Sequence, residues 1–344
     1  MQATLEPTST AQPQAANLPE SMRAIAQHRY GGPDVLQLEQ RPLPAVGDDE
    51  VLVRVRAAGV DRGVWHLMAG LPYLMRVVGF GLRAPRNQVP GMDLAGTVAA
   101  VGKNVTRFRE GDEVFGVGKG SFADYAVAPE AKLAHKPANL GFEQAGVLAI
   151  SGMTALQGLR DVANVQAGEK VLILGASGGV GSYAVQIAKA LGAEVTGVAS
   201  TGKLELVKSL GADHVIDYTR EDITDSGKRY DVILDIGGNR SLSKLRRALK
   251  PRGRLVIVGG ENGGRLLGGL DRLLRAMLLS PFVSQTLASF ISGEKQEDMQ
   301  TLKEMAEAGK LTPVIDRAFP LAEAAEAVRY LEQGRARGKL VISV

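Results

Sequence analysis

Residues 172–182 read LILGASGGVGS, a stretch that two kinds of chemistry could use. As G-x-S-x-G, the run Gly175 to Gly179 would be a strained turn lifting Ser177 above a sheet as a nucleophile. As A-x-G-x-x-G, the run Ala176 to Gly181 would be a dinucleotide loop. Gly178 would then let the backbone approach a pyrophosphate, Gly181 would let a helix pack against the preceding strand, and free N–H groups around Ser177, Gly179 and Val180 would hold the anion. The hydrolase reading fails for want of partners. A triad in this order needs an acid and then a histidine, and the only histidine after Ser177 is His214, at the start of an apparent buried strand.

The end of the next strand bears on which dinucleotide is held. In VASTGK, Ala199 and Ser200 stand where an NAD site places an acid against the ribose hydroxyls. The hydroxyls of Ser200 and Thr201 and the ammonium of Lys203 suit the 2′-phosphate of NADPH instead. NADP(H) is therefore expected in preference to NAD(H).

Composition narrows the remaining classes. Cys is absent, which removes disulfides, thiolate nucleophiles and any zinc site built on cysteine. A net charge of +4 is too small to imply nucleic acid, and the densest basic run, Lys244 to Arg254, lacks interleaved aromatics for base stacking. That run reads as a solvated helix face. Residues 266–291 are strongly apolar, but Asp271, Arg272, Arg275 and Pro281 interrupt them, so no membrane span is expected. They suggest a helix over the cofactor or a subunit contact, with attachment to a membrane surface as a third reading.

The elements that must position the loop follow from periodicity. Residues 1–21 are rich in Ala, Gln, Pro, Ser and Thr and read as a disordered tail. From 22 to 145 the chain is mostly β, with Val51, Val53 and Val55 alternating with Arg54 and Arg56. From 146 to 316 apolar runs alternate with amphipathic stretches, the pattern of a parallel sheet covered on both faces. The tail 317–344 supplies a helix and a strand that return to the first domain. The fold class is α/β, with a mostly-β domain beside a doubly wound one.

The segment GEKVLILGASGGVGSYAVQIAK, from Gly168 to Lys189, resembles the quinone oxidoreductase and zeta-crystallin branch of the medium-chain dehydrogenase/reductase superfamily. RYGGPDVLQLEQRPLP, DEVLVRVRAAGVD, VPGMDLAGTVAAVGKNVTRFREGDEVFG, SGMTALQGL, LGADHVIDY and RGKLVISV continue the likeness from residue 22 to the end. The resemblance implies a GroES-like catalytic domain and a Rossmann cofactor domain with the site between them. Zinc-containing relatives take ligands where this chain has Asp61 and Met92, and a cysteine it lacks, so metal-independent chemistry is expected. Without a Lewis acid, a quinone or an α,β-unsaturated carbonyl is the expected acceptor, because incoming negative charge spreads over a conjugated system. By resemblance, Asp61, His66 and Tyr73 face the acceptor. Thr154, Tyr218, Asp235, Gly237, Val258, Gly259 and Gly260 would contact cofactor. An alcohol or carbonyl dehydrogenase with His66 as proton relay, and an NADPH-binding sensor, are the alternative readings. A homodimer in the cytoplasm is expected.

Overall fold

The computed structural model describes residues 18–225, 227–238, 240–259 and 264–344. Most of the expected tail, and Gly260, lie outside the described residues. Short apolar runs form strands buried on both faces, as their continuous hydrophobicity requires. KVLIL at Lys170–Leu174 and YDVILD at Tyr230–Asp235 are the central pair of a six-stranded parallel sheet. Its order is His214–Asp217, Glu194–Ala199, Lys170–Leu174, Tyr230–Asp235, Leu249–Ile257 and Thr286–Ser289. The winding reverses between the central strands, and such a reversal leaves a crevice at their carboxyl ends. A Cβ built on Gly175 would lie 3.4 Å from the Gly237 nitrogen, so the two loops that bound this crevice are neighbours.

The mostly-β half is organised by one long strand, Glu50–Val60, whose Arg54 and Arg56 point outward while its valines are buried. Asp93–Val101 pairs along one of its sides. On the other side, Tyr125–Pro129 takes the first part and Lys339–Ser343 the second. Register shifts at Leu52/Val53 and Val55/Ala57 bend the strand, as β-bulges do. Ile315–Pro320 continues the sheet beyond Lys339–Ser343, while Glu113–Val117 and Leu133–His135 continue it beyond Asp93–Val101. Ser21–Ala26 and Gln37–Pro42 form a separate antiparallel pair.

The basic run does not form the single helix face expected of it. Lys244 and Arg246 lie on the helix Leu242–Ala248, but Lys250, Arg252 and Arg254 lie on the strand Leu249–Ile257. Their charges are met one by one: Lys244 pairs with Asp222 at 2.5 Å, Lys250 with Asp231 at 2.7 Å, and Arg254 with Glu169. Acids distant in sequence thus pair with three members of the run, while Arg246 donates to Gln285.

The two sheets share a core. Ala95, Phe115 and Val117 of the mostly-β half cluster with Met153, Leu156 and Tyr183. The Tyr183 hydroxyl, fully buried, donates to the Val147 carbonyl at 2.9 Å. Tyr183→Phe leaves that carbonyl without its donor and is expected to cost about 1–3 kcal/mol. Urea unfolding should show a lower midpoint at an unchanged slope; an unmoved midpoint would mean that the bond contributes nothing.

Candidate active site

Gly175 has φ +83°, a conformation that favours glycine, and turns the chain out of the strand. The Gly178 amide donates to the Gly175 carbonyl at 3.0 Å and closes the turn. Gly178 then caps the helix Gly179–Ala190 with no side-chain cap. A Cβ on Gly181 would lie 2.0 Å from the Gly175 carbonyl oxygen and 2.8 Å from Ala176 backbone atoms, so no larger residue fits. At Gly178 the same added atom would meet only the Gly175 oxygen, at 3.4 Å. The space over the helix start is therefore open. First-turn amides there, including those of Gly179 and Val180, have no intrahelical acceptor and carry the positive end of the helix dipole. Ser177 is buried, and its carbonyl accepts from the Gly338 amide at 2.8 Å. A buried serine under this turn is not a presented nucleophile. A close backbone turn, an open space and a ring of free donors fit a pyrophosphate.

At the end of the adjacent strand, Ser200 begins the short turn Thr201–Lys203, its carbonyl accepting from the Lys203 amide. The Thr201 hydroxyl donates to the Asp217 carboxylate at 2.5 Å, and Thr219 donates to the same group. Thr201 is thus held by its neighbour strand. Lys203 Nζ donates to the carbonyls of Gly334 and Ala336 at 3.1 and 2.8 Å. Burial pulls its ammonium below the usual lysine range, with Asp316 acting the other way. Arg337 is exposed beside this turn: a Cβ on Gly202 would be 3.9 Å from its Nη2. Tyr218 is exposed too, and its amide donates to the Ala199 carbonyl. Sequence reasoning passed over Arg337 and Asp217, which no local pattern ties to residues 200–203.

Beneath the loop lies a buried polar cluster that no motif marks. Lys339 Nζ lies 3.4 Å from Asp93 Oδ2 and donates to Ser151 Oγ at 2.9 Å. Asp93 and Lys339 are both sealed from solvent. Asp93 Oδ1 accepts from the Ile150 amide at 2.8 Å. The Lys339 stem would come within 3.1 Å of a Cβ on Gly179, so it underpins the start of the cofactor helix. Burial pushes the Asp93 carboxyl up to about 6; Lys339 opposes that push and Asp61 adds to it.

Asp61 caps the helix Arg62–Ala69, Oδ1 accepting from the Val64 amide at 3.0 Å, while Oδ2 is buried without a partner. His66 Nδ1 lies 2.9 Å from the Leu71 carbonyl, which it can approach only as a donor. Tyr73 is exposed, beneath the guanidinium of Arg76. None of the three lines the cavity of about 260 Å³ bounded by Leu67, Phe80, Val89, Met92, Val117 and Arg86. Of the three, Asp61 comes near its wall: Asp61 Oδ1 and Met92 Cε would each be 3.0 Å from a Cβ on Gly63. The Thr154 hydroxyl donates to the Ile150 carbonyl at 2.7 Å. Asp235 is fully buried, bound by Arg272 and by the Gly238 amide; Nε and Nη1 of Arg272 are buried without partners. Val258 donates its amide to the Asp235 carbonyl. Gly259 sits where a Cβ would be 2.2 Å from the Ile236 oxygen, and around Gly237 the space is open.

This arrangement has counterparts. Residues 47–138 match the family described as alcohol dehydrogenase GroES-like domain, and residues 210–342 match zinc-binding dehydrogenase. The chain is 33% identical to a human quinone oxidoreductase, over 93% of this chain and 97% of that protein. This chain belongs to the quinone oxidoreductase branch of the medium-chain dehydrogenase/reductase superfamily. Another member of the superfamily, the NADPH-dependent alkenal/one oxidoreductase of Arabidopsis thaliana, is 35% identical over 95% of this chain and 81% of its own length. The solved quinone oxidoreductase of Coxiella burnetii superposes with a TM-score of 0.81 at 29% identity, covering 94% of this chain and 99% of that one. Like those relatives, this medium-chain dehydrogenase/reductase is an oxidoreductase with a nicotinamide-binding domain.

The zinc named in one family description does not fit this member's donors. Asp61 Oδ1 is engaged as a helix cap, Met92 offers a thioether, and there is no cysteine. Among the described residues, no group of three His, Asp or Glu could hold a metal.

The buried pair is the sharpest test of this site. Lys339→Met strands a carboxylate in the interior and is expected to destabilise by roughly 3–5 kcal/mol near pH 7.5. The raised pKa of Asp93 means that its charged form is the disfavoured one in the fold, so stability attached to its proton is present below pH 4 and lost as pH rises through about 6. The cost of Lys339→Met should therefore shrink as pH falls toward 5. Equal losses at pH 5 and 7.5 in urea unfolding would count against the pair.

Proposed function

We propose that this protein is an NADPH-dependent, zinc-independent reductase of quinones or α,β-unsaturated carbonyls. The observation that carries the reading is the glycine turn, forced tight at Gly181 and open at Gly178, beside a strand end that has Ala199 and Ser200 in place of an acid. Ser177 to Gly181 would hold the pyrophosphate. Ser200, Lys203 and Arg337 would hold the 2′-phosphate, with Thr201 fixed behind them by Asp217. Two of the three Lys203 donors go to carbonyls, which leaves one for a ligand. Tyr218 offers an exposed flat ring at the same end. Thr154, Gly237, Val258, Gly259 and Gly260 would contact the cofactor beyond this; Asp235, fully buried against Arg272, is not open to it.

When bound, NADPH supplies the hydride. The chain's own part is to hold the acceptor and manage charge. The cavity over Met92 is mostly apolar and suits a small conjugated carbonyl compound. Asp61 does not line that cavity, and its Oδ2 is buried without a partner. With Nδ1–H on the Leu71 carbonyl, His66 can give a proton from Nε2 only as an imidazolium. The names of the two enzymes from Homo sapiens and Arabidopsis thaliana support this acceptor class.

The working unit we propose is a catalytic domain of residues 22–145 and 317–344 around a cofactor domain of 146–316, acting as a cytoplasmic homodimer. Thr286–Ser289 ends the six-stranded sheet, and such an edge can pair with its copy.

Paired titrations with NADPH and NADH, followed by steady-state assays on quinones, enals and alcohols, test the reading. NADPH should bind more tightly and quinones or enals should be reduced. A clear preference for NADH would overturn the assignment of Ser200, Lys203 and Arg337. Replacing Lys203 and Arg337 together by alanine should raise KM for NADPH about 10- to 100-fold while leaving NADH unaffected.

A further inference from the structure

Two neighbouring segments leave large apolar side chains in solvent. In residues 73–86, Val77, Val78 and Leu82 are 69%, 68% and 70% exposed. In residues 264–282, Leu274, Leu278 and Phe282 are 58%, 71% and 85% exposed. The segments touch: a Cβ on Gly268 would lie 2.6 Å from Pro72. They are therefore neighbours on the surface.

The helix Leu270–Leu279 has more apolar surface than its own fold uses. Leu273, Ala276 and Leu279 pack against the strands below, while Leu274 and Leu278 repeat at i, i+4 on the outside. No described residue covers that second stripe. Its surroundings are basic: the two segments carry six arginines against one acid, Asp271. Arg76 turns inward to the carbonyls of Ala69 and Gly70, and Arg272 to Asp235. Arg83, Arg86, Arg265 and Arg275 remain exposed, Arg275 with Asp271 3.5 Å from its guanidinium.

We infer that this face docks on an anionic phospholipid bilayer, with Val77, Val78, Leu278 and Phe282 entering the headgroup and acyl boundary and the four exposed arginines meeting lipid phosphates. Apolar side chains within a basic rim are the makeup of an interfacial amphipathic surface. A second copy of this chain fits less well, because a two-fold contact would press the positive face against itself. No described helix is long and apolar enough to cross a membrane. The position has a use. Phe80 and Arg86 belong to the exposed segment and also line the cavity over Met92, so a lipophilic molecule held in the bilayer would reach that cavity without crossing water.

Flotation of the full chain with vesicles tests this independently of the acceptor's identity. At low salt, the protein should float with phosphatidylglycerol-containing vesicles at least about tenfold more than with pure phosphatidylcholine vesicles. Val77→Glu with Leu278→Glu, and separately Arg83→Glu with Arg275→Glu, should each reduce flotation about tenfold or more. All four positions are exposed, so thermal midpoints should match that of the parent. Absence of flotation, or flotation that neither pair of substitutions changes, overturns the inference. It is overturned as well if sedimentation velocity shows Val77→Glu with Leu278→Glu splitting a parent dimer, which would make the face a self-contact.

Discussion

No atom fits between the helix that starts at Gly179 and the strand that ends at Leu174. A Cβ at Gly181 would come within 2.0 Å of the Gly175 carbonyl oxygen, a backbone atom that no side-chain rotation can move. The helix start is thereby held at the strand end, and its unpaired amides and dipole open onto the crevice where the sheet reverses. Moving the helix outward by a methyl group would also lift Tyr183 and Ala184 from the core they share with the other half. An anion site and the packing between the lobes therefore depend on the same missing Cβ.

The stretch Gly334 to Lys339 carries that dependence across the seam. Its carbonyls hold Lys203, its Gly338 amide holds Ser177, and its last lysine sits under Gly179 against Asp93. One short piece of the catalytic lobe thus touches both ends of the proposed nucleotide site. The buried charges are costly to desolvate, and their hydrogen bonds to Ser151 and the Ile150 amide offset that cost.

What was legible in the sequence was local. The turn at Gly175 to Gly181 needs glycines at fixed spacing, and the strands around it need unbroken apolar runs, so both can be read within a few residues. The pairing of Lys339 with Asp93 cannot, since each looks like an ordinary polar residue at the start of an apolar strand until the two sheets bring them together. Thr201 shows the same limit on a smaller scale. Its hydroxyl looked free for a phosphate, but parallel pairing sets Asp217 beside Ala199 and the carboxylate reaches it first. The Lys244 to Arg254 run reads as one helix face although the apolar run from Leu255 marks a strand, and the change to strand comes earlier, at Leu249. The cavity over Met92 draws on the loops before and after Gly91 and on residues near 130, and no spacing rule joins those.

The strand Lys339–Ser343 lies between Ile315–Pro320 and Glu50–Val60, one place in from the end of a sheet whose other members come mostly from the chain's first half. During synthesis, the long strand Glu50–Val60 must wait, with the latter half of one edge bare, until the whole parallel-sheet lobe has left the ribosome. The lobe with the glycine turn can collapse early on contacts close in sequence; the other closes last, over a large loop. A nascent chain of this protein therefore passes through an interval in which a hydrophobic sheet edge is open, and the clamp on the nucleotide turn is among the last contacts to form.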